Sequence, residues 1–140
     1  MSQLKAKGLD HVAIAVKDLE KAIAFYQAAF GLELAEIEEV KDQQVRTAIF
    51  GHGPGRIELI CPTAEDTPVA KFLQKRGEGL HHICIEVADL EASLAELKQQ
   101  GAPLIDAVPR PGAGGAKIAF LHPRGAHGVL TELRQGPSKS

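Results

Sequence analysis

Apolar and polar positions alternate strictly at two places in the chain. In HVAIAV (11–16), His11, Ala13 and Ala15 fall on one side and Val12, Ile14 and Val16 on the other. HICIEV (82–87) divides His82, Cys84 and Glu86 from Ile83, Ile85 and Val87 in the same way. A period of two predicts strands whose aliphatic faces are buried. Each run gives way to an Asp-Leu-Glu triplet, and the period lengthens. Leu19, Ala22, Ile23, Tyr26, Ala29 and Phe30 then recur at helical spacing, as do Leu90, Leu94 and Leu97 in the second copy. Asp18 and Asp89 suit the helix N-cap, and the glutamates after them face the positive end of the helix dipole. Gly31 and Gly101 stand where a left-handed residue ends a helix.

The segment after each helix is duplicated too. LELAEIEEV, QQVRTAIFG and RIELICP read as strands separated by polar or Gly-Pro turns, of which GHGPG is the plainest. APLIDAV, AKIAFLHP and GVLTELRQ take the same places in the second copy. Between the copies, TPVAKFLQKRG predicts a linking helix with Thr67 as N-cap, Pro68 at the first helical position and Gly77 at the end. Two long copies do not make a solenoid, which stacks many short repeats. They predict an α+β fold of two βαβββ modules in tandem whose sheets combine, with the helices outside. A single domain over 1–140 is expected, with module 1 at about 8–64, the linking helix at about 67–77 and module 2 at about 79–135.

Composition narrows the class further. A chain of 140 residues is long enough for one domain with a real core. Its net charge of −2, with acids and bases interspersed, gives no reason to expect nucleic acid or an anionic membrane as partner. Five Phe, one Tyr and no Trp are too few for a base-stacking surface. No apolar run is long enough to span a bilayer, and MSQLKAKGLDH lacks the apolar core of a secretory signal, so a cytoplasmic protein is expected. Cys61 and Cys84 lie in apolar strand runs and read as free buried thiols of a reducing compartment. The closing GPSKS is expected to fray.

The chemistry lies on the small-and-polar faces of the two alternating strands, each headed by a histidine. Two further polar residues interrupt apolar strands: Glu58 in RIELICP and Glu132 in VLTEL. A carboxylate in a core strand is costly unless it is paired or bound to a metal. Two imidazoles and two carboxylates in matching places of a repeat suit a borderline divalent ion such as Co²⁺, Mn²⁺, Ni²⁺, Fe²⁺ or Zn²⁺. His81 points away from the face of His82 and is assigned to helix packing or an outer hydrogen bond; His52 sits in a turn. His122 and His127 flank the last hairpin, within reach of a substrate. PGAGGAK lacks the ending of a phosphate loop and leads into a strand, so it reads as a flexible loop over a pocket.

LDHVAIAVKDLEKAIAFY, IELICP, VAKFLQKRGEGLHHICIEV and GGAKIAFLHPRGAHGVLTEL resemble the vicinal-oxygen-chelate superfamily and, within it, the methylmalonyl-CoA epimerases, over about residues 8–135. The resemblance implies a curved mixed sheet around one divalent ion per chain, with Co²⁺ placed before Mn²⁺, Ni²⁺ or Zn²⁺, held by His11, Glu58, His82 and Glu132. It implies epimerisation of a small CoA thioester, (2R)- and (2S)-methylmalonyl-CoA, by removal of the C2 proton through an enolate. Glu132 is the expected base. Some epimerases carry a glutamate in the context Val-Arg-Glu where this chain has Thr47, so either Glu58 or a bound water serves the opposite face or the two-base account does not apply. Lys117, His122, Arg110 and the 111–116 loop are positional candidates for substrate contacts, and a homodimer is implied. Two other readings stay open: a glyoxalase-like lyase or isomerase using the same metal on another substrate, and a metal-free small-molecule binding module.

Overall fold

Asp18 and Asp89 open equivalent helices. Each carboxylate accepts the backbone N–H three residues on, from Lys21 and Ala92, at 3.1 Å. Thr67 caps the linking helix in the same way, accepting from Ala70 N–H at 3.2 Å, and Pro68 follows at the first helical position. Gly101, with φ of 78°, closes the helix before it by letting Ala102 N–H reach Leu97 C=O at 2.9 Å.

The computed structural model describes residues 4–137. Module 1 runs β1 (Ala6–Ala15), α1 (Leu19–Phe30), β2 (Leu34–Val40), β3 (Val45–Phe50) and β4 (Arg56–Pro62), followed by the linking helix α2 (Pro68–Arg76). Module 2 runs β5 (Gly79–Val87), α3 (Leu90–Gln99), β6 (Arg110–Pro111), β7 (Lys117–Leu121) and β8 (Thr131–Gln135). The α+β class and the βαβββ order of both copies are as expected. Among the described residues, no helix is long and apolar enough to cross a membrane.

The described chain divides into two compact units, one of residues 11–81 and the other of residues 4–10 together with 82–137. In the first, the strand order is β2-β3-β4-β1, with β1 parallel to β4 and the other pairs antiparallel. In the second it is β5-β8-β7-β6, with β5 parallel to β8. Val16, Leu19, Ile23, Ala48, Phe50 and Leu59 form the core of the first unit, with Ile14 and Tyr26 against it. Val87, Leu90, Leu94, Ala119 and Leu133 form that of the second, with Leu4, Ile85 and Leu97. The aliphatic faces of the alternating strands thus point under α1 and α3, and their histidine faces point the other way.

Three expectations need correction. Phe30 does not belong to the buried stripe of α1; it is 62 % exposed and packs its ring against Phe25 and Tyr26. APLIDAV is not a strand: pairing there shrinks to one bridge, Leu104 to Leu121, and β6 is only two residues long. Pro103 and Pro109 bracket the segment and cannot donate to a ladder. Asp106 intervenes as well, its carboxylate taking Phe120 N–H at 2.9 Å. Finally, Gly136 at the start of the supposed frayed tail is held by its N–H on Glu86 Oε2 at 3.1 Å, while residues 138–140 lie outside the described residues.

Candidate metal centre

His11 on β1 and Glu58 on β4 come together because the two strands run parallel with Ala13 opposite Glu58, which sets the carboxylate two residues beyond the histidine on the same face. His11 is 5 % exposed and Glu58 4 %, and Nδ1 lies 3.2 Å from Oε2. Arg56, opposite His11, is on this face too. Its Nη2 donates to the same Oε2 at 3.3 Å, and its Nη1 to the carbonyl of Gly53 at 2.8 Å. The carbonyl is offered by the glycine-rich 51–55 turn, where Gly51, Gly53 and Gly55 all adopt positive φ. On β3, Ile49 lies opposite Glu58 and the buried Thr47 opposite Ile60.

The second unit repeats the device. Glu132 on β8 is opposite Cys84, two residues beyond His82 on β5. His82 Nε2 and Glu132 Oε1 are 3.1 Å apart, and both residues are buried. Phe120, opposite Glu132 on β7, sets its ring perpendicular to the imidazole with centroids 5.3 Å apart. The cation of this unit is Arg134, two residues past Glu132. Its Nη1 donates to Glu86 Oε1 at 2.6 Å and lies 3.5 Å from Asp10 Oδ1. Burial works against its charge, but the Glu86 hydrogen bond and the Asp10 and Glu86 carboxylates outweigh that and hold the guanidinium more firmly protonated than usual.

The remaining candidates have local partners. Lys117 bridges to Glu91 at 3.0 Å on the surface, and Arg110 lies 3.4 Å from Asp106. His122 Nδ1 accepts Arg124 N–H at 3.0 Å, capping a 3₁₀ turn that ends in left-handed His127. His81 stands edge-on to Phe72 of α2 with centroids 4.9 Å apart, the helix packing expected of it. Neither cysteine is in a disulfide; Cys84 is fully buried and Cys61 partly so, and burial pushes the Cys61 thiol up ahead of the opposing pull of Arg46. Sequence reasoning passed over Arg56 and Arg134. Their signal was present: each stands two positions from a glutamate on an alternating strand, and therefore on the same face.

The donors of each pair suit a divalent first-row ion. Imidazole nitrogen and carboxylate oxygen are its borderline and hard donors. Carboxylates this dry call for a positive partner.

Residues 10–120 match the Glyoxalase/Bleomycin resistance protein/Dioxygenase superfamily. The ethylmalonyl-CoA/methylmalonyl-CoA epimerase of Cereibacter sphaeroides is 44% identical over 130 residues, covering 91% of this chain and 96% of that protein. The mitochondrial methylmalonyl-CoA epimerase of Homo sapiens is 41% identical over 128 residues, covering 91% and 73%. A structure of a serine-to-threonine variant of Streptomyces coelicolor methylmalonyl-CoA epimerase in complex with 2-nitronate-propionyl-CoA superposes with a TM-score of 0.92 at 38% identity, covering 96% of this chain and 97% of that one.

Proposed function

The chain belongs to the methylmalonyl-CoA epimerases of the Glyoxalase/Bleomycin resistance protein/Dioxygenase superfamily, and from that premise we propose that it interconverts (2R)- and (2S)-methylmalonyl-CoA by metal-assisted proton transfer at C2. The observation that carries the reading is the repeated pair: a dry histidine joined to a dry glutamate in the same register in both units. His11, Glu58, His82 and Glu132 would hold one divalent ion, Co²⁺ first among the candidates. Such an ion supplies a Lewis acid for the thioester oxygen and for the negative charge that develops there.

The protein's own groups move the proton. Glu132 takes it from C2, whose acidity comes from the thioester carbonyl, and leaves an enolate. Phe120 packs against His82 beside this carboxylate. The proton is returned on the opposite face by Glu58 in its protonated form or by a water, and the one held by Glu132 passes to solvent once the product leaves. Thr47 is buried on the same sheet face as Glu58 but carries no carboxylate and cannot return it. Both epimers are CoA thioesters, so the proposed partner is a small-molecule thioester. A cytoplasmic homodimer is the form proposed.

The test is C2 proton exchange of methylmalonyl-CoA in D₂O, followed by NMR, with Co²⁺ and then with chelator. Deuterium uptake with loss of configuration in the metal-loaded protein alone is the expected result. No exchange in protein shown to carry one ion per chain would exclude this substrate. Exchange on a glutathione hemithioacetal instead would favour the glyoxalase-like reading.

A further inference from the structure

We propose that Arg56 sets the net charge of the site and is the residue that selects thioesters bearing a free carboxylate. The inference rests on the metal-assisted reading above and deepens it. Two glutamate ligands cancel the charge of a divalent ion, so a site of two histidines and two glutamates has nothing left over for an anionic substrate. Methylmalonyl-CoA brings a carboxylate, and removal of its C2 proton adds a second negative charge to the acyl group. Arg56 supplies the missing cation. It is opposite His11 in the β1–β4 register, on the face shared with Glu58, and its Nη2 lies 3.3 Å from Glu58 Oε2. Its side chain is 15 % exposed, so its charge acts in a medium far less screening than water. Gly53 C=O, at 2.8 Å from Nη1, fixes the guanidinium plane from the side of the turn. With both Nη groups already engaged, the guanidinium acts on the substrate carboxylate chiefly through its charge.

The second unit shows that this cation is a separate addition to the repeat. Its residue two positions before Glu132, in the place of Arg56, is Leu130. Its own arginine, Arg134, is two positions after Glu132 and is engaged by Glu86 and Asp10. Glu58 therefore shares an oxygen with the arginine of its strand, while the arginine on the strand of Glu132 is turned to other carboxylates. Arg56 also repels a divalent ion and competes with it for Glu58. The same side chain thus weakens metal binding and strengthens substrate binding, a combination that a purely structural role does not produce.

The experiment titrates Co²⁺ into metal-stripped protein by calorimetry, then titrates the Co²⁺-loaded protein with methylmalonyl-CoA and with propionyl-CoA, which lacks the carboxylate. Arg56→Met is expected to bind Co²⁺ about tenfold more tightly than the wild type. It should bind methylmalonyl-CoA about 10- to 100-fold more weakly, with propionyl-CoA little changed. Arg56→Lys keeps the charge and should keep most of the preference; Arg56→Gln replaces the methionine variant if that fails to fold. The decisive protein is Arg56→Met combined with Glu58→Gln, which restores the net charge and should regain much of the lost preference. If Arg56 served only to orient Glu58, Co²⁺ binding would weaken in Arg56→Met and the double variant would be no better, and the inference would be overturned. A metal-loaded Arg56→Met with the wild-type preference would overturn it as well, leaving the proposed function standing. Wild-type protein that takes no ion, or that ignores methylmalonyl-CoA when loaded, would overturn both.

Discussion

The two histidine–glutamate pairs are built on one plan and surrounded differently. In each, a parallel strand pair sets the carboxylate two residues past the imidazole, at 3.2 Å in one unit and 3.1 Å in the other. Around Glu58 the neighbours are an arginine opposite the histidine and an isoleucine across β3; around Glu132 they are a leucine in the arginine's place and a phenylalanine across β7. The backbone repeat therefore preserved the strand register, although His11 meets its glutamate through Nδ1 and His82 through Nε2, while side chains at equivalent positions diverged in charge. One glutamate is left beside a cation and the other beside an aromatic ring. That contrast suits a division of labour. The carboxylate beside the aromatic ring is the one assigned to take the proton, and the one beside the guanidinium shares an oxygen with a cation.

The strongest way to break the comparison is at the bases. Glu132→Gln should lower epimerisation about 10²- to 10⁴-fold, read as C2 deuterium exchange, with the protein still folded. Next are the histidines. His11→Ala and His82→Ala should each weaken Co²⁺ binding by more than the roughly 10- to 100-fold typical of losing an outer partner, and by similar amounts if the two halves contribute equally. Calorimetry that finds one of them dispensable would end the symmetric account.

Arg134 sharpens the contrast from the other side. Arg134→Met strips the counter-charge from Glu86 and Asp10 and should cost about 2–3 kcal/mol in urea unfolding, less than a fully buried pair because the groups keep some solvent. Removing a helix cap tests the repeat itself: Asp18→Ala and Asp89→Ala should each cost about 1 kcal/mol, and equally.

The smallest effect is at Cys61. Its raised pKa means that the folded state favours the thiol, so its contribution is complete at neutral pH and is lost as pH rises through the folded value. Cys61→Ser should leave stability at pH 7 nearly unchanged and flatten its decline above pH about 9. Alkylation of Cys61 at neutral pH should be slow.

The helices were legible in the sequence because each carries its own start and stop: Asp18, Thr67 and Asp89 before the first turn, Gly31, Gly77 and Gly101 after the last. His11, Glu58, His82 and Glu132 were legible as polar interruptions of alternating or apolar runs. Which glutamate meets which histidine was not, because the register between strands that are far apart in the chain is set by tertiary packing and leaves no local trace. Arg56 and Arg134 were passed over for a related reason. A charged residue at a strand end reads as solvent-facing until its partner strand is known. The strand expected at 102–108 failed on a local detail, the Asp106 side chain that occupies an N–H a ladder would need.

The unit that holds Glu132 takes its first residues from the opposite end of the chain. Leu4 packs on the Val87–Leu133 cluster and Asp10 meets Arg134, while residues 11–81 close on themselves without a break. During synthesis the 11–81 unit can therefore mature while translation continues, whereas residues 4–10 emerge before it and must wait for β8 to be made. The contact between Asp10 and Arg134 closes a loop of almost the whole chain, the costliest kind to form and the slowest to nucleate. The carboxylate assigned the proton transfer thus belongs to the half that is assembled later, and activity should follow the synthesis of β8 rather than the appearance of the first folded unit.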